Sequence, residues 1–364
     1  MAARTEGTNG ASGGRVVVRV LEATDAGAWT AYVRAHPEAT LYHTLPWRDV
    51  VQEVFGHRPL YLLATCAGTI VGVLPLFGVQ CPGLGSKIIS LPYDVGSGGA
   101  LADDDGVEYA LVQRAIELAR DARASYIEVR CKSRRPALEQ LGLSRREPVL
   151  LSDMVLDGEA AVRSRVAPDH RKAIRKAETR GVTVREAAGL DDFQAFYRVY
   201  LSVFRDFGTP PYGPGYFPTL WRRLAPSRAV RLLLAYHEER CVGGLLLFCW
   251  QTNMVSKFAA CLPAAVPLRA YAALYWRAIS LGLAEGYRSL SWGTSTRDQA
   301  GLIEFKERWG ARSHPAVVYA LPIRRAVPSI ERYYDSEGLA QRIWRRLPVS
   351  ITPIIGGPLN RWFC

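Results

Sequence analysis

The sequence predicts an α/β fold with mixed sheets, built as two copies of one architecture. The chain has 364 residues, of which 49% are hydrophobic and 22% are charged, so it is globular and too long for one ordinary core. One segment of alternating strands occurs twice, and each copy is followed by further strands and helices in the same order. This alternation predicts sheets with helices packed on them.

The repeat is visible by direct comparison. Residues 59–77 align without gaps to residues 230–248, and 8 of the 19 positions are identical. Each copy has the pattern of two strands around a tight turn, at residues 67–68 and 238–239. We therefore expect a β-hairpin at both places.

A second block repeats downstream of each hairpin. The helical pattern of 109–118 parallels that of 272–281 and shares Arg-Ala-Ile in register, and strands at 125–131 and 288–294 follow. Each half is thus predicted to contain a hairpin, a further strand, a helix, a strand, a short helix and a strand. Two such domains side by side would leave a cleft between them, a common place for a ligand site.

Composition shifts and turn signals set the expected boundaries. They predict a disordered N-terminus at 1–14, a first domain at 15–160, a basic linker helix at 161–182, a second domain at 183–322, and a tail at 323–364 that packs on the first domain.

The stretch 287–310 organises the second half. Leu290 and Trp292 share one face of the predicted strand at 289–294. Thr296 and Gln299 have the spacing of a capping box, which predicts a helix from about Arg297, and Gly310 predicts its end.

Lys306 is the residue of this helix that is hardest to explain by structure alone. Leu302, Phe305 and Trp309 form the predicted buried stripe, and Lys306 borders it. The lysine can extend its ammonium into water, or it can be partly desolvated beside the strand end and act as an oxyanion stabiliser or a base. The matching stretch of the first half, 136–152, contains no lysine. We therefore expect the chemistry in the second domain and substrate holding in the first.

Several classes of protein are disfavoured by composition. No apolar run is long enough to cross a bilayer, and the N-terminus lacks the apolar core of a signal peptide, so a cytoplasmic protein is expected. The seven cysteines are scattered, without metal-ligand spacing, so neither a metal site nor a bound cofactor is predicted. The net charge of +12 favours a polyanionic partner such as RNA, a phosphorylated substrate or an anionic membrane.

A basic helix is predicted at 166–181, with Asp169 as a possible N-cap and Gly181 as its end. Its cations form either a solvated face or a polyanion-binding surface. The candidate polyanion-binding residues are Arg171, Lys172, Arg175 and Lys176.

Other segments supply candidate contacts. The Gly-rich stretch 90–106 places two polar residues on a permissive loop, and the Pro- and aromatic-rich segment 206–217 is either a lid with Tyr212 and Tyr216 or a stiff connector. The basic, Trp-containing tail either packs on the protein or touches an anionic membrane surface. The candidate substrate-binding residues are Trp47 (which also fits a core position), Arg48, Tyr93, Asp94, Tyr212, Trp292, Thr294 and Arg297.

Taken together, these pieces resemble the FemAB/FemX-like family of tandem-GNAT transferases, most closely the FemAB-related proteins of PEP-CTERM exosortase gene clusters. The stretches that carry the resemblance are HTLPW (43–47), GVLPLF (72–77), SLPYDVGSGGALADD (90–104), HRKAIRKAETRGV (170–182), FRDFGTPPY (204–212), the helix and strand of 272–294, GTSTRDQAGLIEFKERWGA (293–311) and WRRLPVSITPIIGGPL (344–359).

The resemblance implies two tandem GNAT-like domains and a cytoplasmic enzyme. Contact of the tail with a membrane would place the enzyme peripherally at the inner face of that membrane. It implies transfer of an aminoacyl group from aminoacyl-tRNA to an amine on a cell-wall precursor, with Lys306 stabilising the tetrahedral intermediate. Related branches use other donors, including acyl-CoA. Pro263 and Pro267 count against coenzyme A, because they remove backbone donors from the turn that would bind its pyrophosphate. A CoA-dependent N-acyltransferase and a non-catalytic component of an export system remain the alternatives.

Overall fold

A computed structural model of the chain describes residues 5–6, 15–81, 85–95, 98–328 and 339–362. The chain divides into two compact units. The first comprises Met1–Pro148, Pro315–Ile330 and Arg361–Cys364, and the second comprises Val149–His314 and Glu331–Asn360. The predicted elements of both copies are present in chain order, so the α/β architecture is confirmed. The predicted domain bounds differ from the two units, because residues 149–160 belong to the second unit and residues 315–322 to the first.

The elements that begin in the first unit include all those of the predicted first copy. In chain order they are β1 (Thr5–Glu6), β2 (Val16–Val20), α1 (Ala26–Ala35), α2 (Leu45–Phe55), β3 (Arg58–Pro59), β4 (Leu62–Cys66), β5 (Thr69–Leu74), β6 (Leu76–Cys81), β7 (Gly85–Ser90), β8 (Leu101–Ala102), α3 (Asp105–Asp121), β9 (Tyr126–Cys131), α4 (Pro136–Gln140) and β10 (Ser144–Val155).

The remaining elements begin in the second unit. They are α5 (Glu159–Arg165), α6 (Pro168–Thr179), β11 (Thr183–Glu186), α7 (Leu190–Phe207), α8 (Tyr216–Leu224), β12 (Val230–His237), β13 (Arg240–Trp250), β14 (Asn253–Cys261), α9 (Ala270–Ala284), β15 (Ser289–Ser295), α10 (Ala300–Arg308), β16 (Arg312–Pro322), α11 (Leu339–Trp344) and α12 (Thr352–Asn360).

In the first unit the strands form two groups. One has the order β1-β2-β4-β5-β8, and the other has the order β16-β9-β7-β6-β3. Within the second group β7 and β9 are parallel and their neighbours are antiparallel. The core of this unit lies between the sheets and α3, whose buried face includes Leu111, Val112 and Ala115.

In the second unit the strand order is β11-β12-β13-β14-β15-β10. All neighbours are antiparallel except β14 and β15, which are parallel. Helices α6 and α9 share a core with one face of this sheet, and α7 and α8 pack near β12, β13 and β14. A parallel pair in an otherwise antiparallel sheet is the feature on which the candidate site depends.

Both predicted hairpins are confirmed. β4 pairs with β5 and β12 pairs with β13, and the two residues at each turn have positive φ, namely Ala67 (48°) and Gly68 (83°), and Glu238 (49°) and Glu239 (63°). Two consecutive left-handed residues match the right-handed twist of hairpin strands.

Three details of the second copy differ from prediction. α10 begins at Ala300 rather than near Arg297, because Gln299 has the non-helical angles φ −80° and ψ 50°. Only half of the capping box forms, with Gln299 Oε1 accepting from the backbone N–H of Thr296 at 3.1 Å. Leu302 is 41% exposed, so the predicted buried stripe is limited to Phe305 and Trp309.

The basic segment and the tail also differ. α6 packs on α9 inside the second unit and is not a separate linker, and its N-cap is Ala167 because Pro168 occupies the first helical position. Gly181 ends it with φ 74°, as predicted. Residues 339–360 belong to the second unit, where Asn360 Nδ2 donates to the carbonyl oxygen of Pro211 at 2.9 Å. The prediction that the tail packs on the first domain is therefore wrong for these residues.

The predicted disordered N-terminus lies outside the described residues except for residues 5–6. In the described part of the chain, no helix combines the length and apolar character that crossing a membrane requires.

Candidate functional site

The two parallel strands of the second unit separate before they end. The last residues paired between them are Val255 and Ser291, although β14 continues to Cys261 and β15 to Ser295. β14 remains paired with β13 on its other side, and β15 with β10. The facing edges beyond this pair therefore carry backbone N–H and C=O groups that, within the described structure, have no strand partner. Such edges suit an extended ligand laid between the strands.

Local irregularities explain the separation. The pairing of β13 with β14 shifts register between Leu246 and Leu247, which gives β14 one extra residue at Lys257. On β15, Gly293 has φ 70°, a left-handed conformation that a side chain would strain. A bulge bends the strand that carries it, so β14 and β15 diverge at about the same level.

Lys306 extends from α10 to the end of β15 at this separation. Its Nζ donates to the carbonyl oxygens of Gly293 and Thr294, each at 3.0 Å, and to Ser295 Oγ at 2.8 Å. An ammonium has three N–H donors, so these acceptors occupy all of them. The charge is thus held in one place, and a ligand that bonds directly to Nζ must replace one of the three acceptors.

The lysine is buried rather than extended into water. Only 4% of the residue is exposed, and this burial lowers the pKa of Lys306 to about 8. The Asp153 carboxylate opposes this shift in pKa, but among the described residues it forms no ion pair with Lys306. The interpretation as a surface lysine with a wet ammonium is therefore wrong. The position predicted for a desolvated ammonium at the strand end is the one observed, and its catalytic role stays a prediction.

Aromatic rings form the wall on the α9 side. Trp292 stacks on Tyr275 with ring centroids 4.3 Å apart, and both contact the ring of Trp309. The Tyr275 hydroxyl bonds to Ser256 of β14, which ties α9 to the bulged strand. Trp292 and Thr294, two predicted contacts, are thus brought together with Lys306. Trp292 forms part of the wall, and Thr294 contributes its carbonyl oxygen.

Thr296, which was predicted only as part of a helix cap, directly follows Ser295, an acceptor of Lys306. Thr296 is 5% exposed, and in the described structure its buried Oγ1 has no hydrogen-bond partner. The hydroxyl would have capped the helix had α10 begun at the predicted residue. Because the helix starts later, Thr296 Oγ1 stays available immediately after the last residue of β15.

A second aromatic cluster surrounds Phe258, and of its members only Tyr212 and Tyr216 were candidates from the sequence. Phe258 of β14 contacts the rings of Tyr200, Phe204, Tyr212 and Phe217, with centroids between 5.5 and 6.1 Å. These rings are spread over three segments, so no local period announces the cluster. Tyr212 is held in it by backbone bonds, since its N–H donates to Tyr200 Oη at 3.0 Å. The segment 206–217 is therefore packed rather than loose.

The other predicted substrate-binding residues, Trp47, Arg48, Tyr93 and Asp94, belong to the first unit. Trp47 is fully buried against Tyr42, which agrees with a core position. Arg48 forms an ion pair with the neighbouring Asp49 at 2.8 Å.

Tyr93, which has φ 69°, stacks on Phe55 at 3.9 Å, and its Oη lies 2.6 Å from His57 Nε2. Burial is the main cause that lowers the pKa of His57 to about 4. Asp94 Oδ2 is buried without a partner among the described residues.

The basic helix α6 is joined firmly to the lysine-bearing helix α10. Asp169 forms an ion pair with Arg308 at 2.6 Å, and the His170 ring stacks on Trp309 at 4.8 Å. Burial lowers the pKa of His170. Arg297, by contrast, is an exposed residue of the turn before α10.

The cations predicted to bind a polyanion lie on the outer side of α6. Lys172, Arg175 and Lys176 are exposed at i, i+3 and i+4 spacing, and none forms an ion pair with a residue that the structure describes. Arg171 is half-buried and donates to the carbonyl oxygen of Arg163 at 3.0 Å. In the described chain, no group of three or more His, Cys, Asp or Glu side chains is placed to hold a metal ion.

Comparison with known proteins gives the fold a family context. Residues 164–307 match the sequence profile described as Acetyltransferase (GNAT) domain, and this range contains α6, β14, β15 and Lys306. No curated protein matches the sequence significantly.

Several solved structures share the fold across most of the chain. FemX has a TM-score of 0.71 at 13% identity, covering 84% of this chain and 97% of its own. L-PGS from Bacillus licheniformis has a TM-score of 0.59 at 12% identity, covering 90% and 99%. A tandem GNAT protein from the clavulanic acid biosynthesis pathway has a TM-score of 0.55 at 12% identity, covering 86% and 100%.

These matches confirm the resemblance to the FemX-like tandem GNAT proteins and the fold class that it implies. The match to the GNAT acetyltransferase profile lies within the second unit.

Proposed function

We propose that this protein is an acyltransferase that forms an amide bond between an activated acyl ester and an amine. The observation that carries the proposal is the buried ammonium of Lys306, held at the point where β14 and β15 separate inside a GNAT-type domain. A desolvated cation at a fixed position is suited to stabilise negative charge that develops there.

The reaction needs few groups from the protein. The acceptor amine attacks the ester carbonyl carbon, a C–N bond forms, and the carbonyl oxygen becomes an oxyanion. The C–O bond to the leaving hydroxyl then breaks, and that hydroxyl takes the proton that the amine gives up. Lys306 favours the oxyanion through its charge, and Thr296 Oγ1 is a second donor next to it. Strand edges and aromatic walls hold the reactants in position.

We favour aminoacyl-tRNA as the donor. The turn before α9, where a pyrophosphate would bind, uses its backbone N–H groups on its own carbonyls: Ala265 donates to Leu262, Val266 to Pro263, and Arg269 to Val266. Pro263 and Pro267 have no N–H to offer. The exposed cations of α6, fixed to α10, offer instead a surface for phosphates of a nucleic acid.

The acceptor in this proposal is an amine on a cell-wall precursor or a small metabolite. The second candidate function is acyl transfer from acyl-CoA, and the match of residues 164–307 to an acetyltransferase domain is the observation that favours it.

Supplying both donor classes to one protein preparation separates the two functions. The purified protein is incubated with tRNA charged with radiolabelled amino acids, or with labelled acyl-CoAs, and a panel of amines. The product is scored by its stability in mild alkali, which hydrolyses esters and leaves amides. We expect label in the amide from aminoacyl-tRNA only. Amide formation from acyl-CoA establishes the second function, and its absence with both donors contradicts acyl transfer to these amines.

The basic helix is tested by its effect on tRNA binding. Arg175→Ala combined with Lys176→Ala should weaken binding and reduce the dependence of log K on log salt by about 1 for each cation removed. Arg240→Ala, at an exposed hairpin position, is the matched control. An unchanged slope in the double variant assigns these side chains to a solvated face.

A further inference from the structure

The C-terminal helix presents an apolar face to solvent. Ile351, Ile354, Ile355 and Pro358 lie at i, i+3, i+4 and i+7, on one side of α12 and the residue before it. Ile354 is 71% exposed, and Ile351 and Ile355 are each 40% exposed. A helix on the surface of a globular protein normally buries such a stripe against the core.

The opposite side of α12 is made of small and polar residues and packs on the segment Pro210–Gly213. A Cβ on Gly356 would lie 2.6 Å from the carbonyl oxygen of Pro211, and one on Gly357 would lie 3.2 Å from the Cα of Gly213. Asn360 Nδ2 adds hydrogen bonds to the carbonyl oxygens of Pro210 and Pro211. Because this contact requires glycine, α12 is held with its isoleucines outward.

Arginines accompany the apolar face. Arg342, Arg345 and Arg346 are exposed on α11 and the turn after it, next to Ile343, which is 56% exposed. Residues 339–362 contain four arginines and no aspartate or glutamate. Exposed aliphatic side chains flanked by cations characterise helices that lie in the interface of anionic bilayers.

We propose that α11 and α12 dock this protein on an anionic phospholipid bilayer. The docking surface consists of Arg342, Ile343, Arg346, Ile351, Ile354 and Ile355. The isoleucines enter the boundary between headgroups and acyl chains, and the arginines bind lipid phosphates. Charge complementarity selects this occupant: a second copy of the chain would bring the same arginines face to face. The proposal is independent of the reaction catalysed in the second unit.

Vesicle sedimentation with the full-length protein tests it. The wild type should bind phosphatidylcholine vesicles that contain about one third phosphatidylglycerol and bind much less to phosphatidylcholine alone. Ile354→Ser combined with Ile355→Ser should lower the partition coefficient about tenfold or more. Arg342→Gln combined with Arg346→Gln should lower it about fivefold per arginine at low salt. Val155→Ser removes an equally exposed aliphatic side chain on β10 and should bind as the wild type does.

The outcomes are separable. Equal binding of the isoleucine variant and the wild type would mean that cations elsewhere hold the vesicle, which overturns the proposal. It is also overturned if the wild type does not bind, or if it is a dimer that the isoleucine variant converts to a monomer. The unfolding temperature of each variant, expected to match that of the wild type, shows that a loss of binding is not a loss of folding.

Discussion

Arg130 in the first unit and Lys306 in the second are two buried cations near parallel strands, and their surroundings neutralise them differently. In the first, Arg130 of β9 is 4% exposed and its Nε donates to Glu128 Oε1 at 2.8 Å, with Glu128 itself 3% exposed. In the second, Lys306 is buried to the same degree, but its three contacts are two carbonyl oxygens and a hydroxyl. A buried charge is normally paired. The carboxylate partner of Arg130 is typical of a structural role, whereas Lys306 has no carboxylate partner among the described residues, as the proposed role in acyl transfer requires.

The space beyond the parallel strands differs in the same way. In the first unit, Ser90 Oγ accepts from the backbone N–H of Arg130 at 2.8 Å, and Arg130 Nη1 donates to the carbonyl oxygens of Leu91 and Asp94. The chain therefore fills the end of its own parallel pair. In the second unit, the strand pairing of β14 and β15 ends at Val255 and Ser291. The first unit fills this position with its own chain, whereas in the second unit we propose that the substrate occupies it.

Breaking the ion pair of the first unit should have the largest effect on stability. Glu128→Gln leaves the Arg130 charge buried without a carboxylate and should lower the free energy of unfolding by about 3–5 kcal/mol. Urea denaturation measures this. Arg308→Ala, which removes an exposed ion pair to Asp169, is the control and should change stability by less than about 1 kcal/mol. A loss of similar size in both variants would remove the distinction drawn for Arg130.

Replacing the cation of the second unit should have a smaller, pH-dependent effect. Lys306→Met leaves three acceptors without a donor, but it also removes a desolvated charge. These effects oppose each other, so the free energy of unfolding should change by only about 1 kcal/mol near pH 7. The folded-state pKa of Lys306 is lowered from 10.5 to about 8, so between these values the unfolded chain binds more protons. The stability of the wild type should therefore rise with pH from about 8 to 10.5 relative to Lys306→Met.

The pH range of this rise in stability also reports on the charges around Lys306. Asp153 on β10 and His314 on β16 are half-exposed. The Asp153 carboxylate raises the pKa of Lys306. In the matched variant Asp153→Asn this charge is gone, so the rise in stability should begin at a lower pH. A pH profile of stability that is identical in the wild type and in Lys306→Met would show that the ammonium is not desolvated.

Much of the fold could be predicted from the sequence because its signals are local. The turns at 67–68 and 238–239, the strand at Ser289–Ser295 and the helix end at Gly310, which has φ 92°, each follow from a few neighbouring residues. The polar and apolar alternation also placed Leu290 and Trp292 correctly on one buried face.

The remainder depends on contacts between distant segments. Leu302 satisfies the helical period but lies beyond the edge of the core, whereas Lys306 is enclosed because the end of β15 supplies three acceptors. The aromatic cluster around Phe258 and the contact of Gly356 with Pro211 bring together parts of the chain that share no pattern. Sequence reasoning found Lys306 with its neighbours Trp292 and Thr294, but not the acceptor Ser295, the unbonded hydroxyl of Thr296 or the aromatic cluster around Phe258.

The central claim is that Lys306 stabilises the oxyanion of acyl transfer, and turnover by Lys306→Ala tests it most directly. The account predicts a loss of about 10²-fold or more with a folded protein, and partial rescue by Lys306→Arg, which keeps the charge but changes the donor geometry. Lys87→Ala, which removes a lysine buried to 5% exposure in the first unit, should keep its turnover. Full turnover by Lys306→Ala, with the unfolding temperature measured in parallel, would contradict the claim.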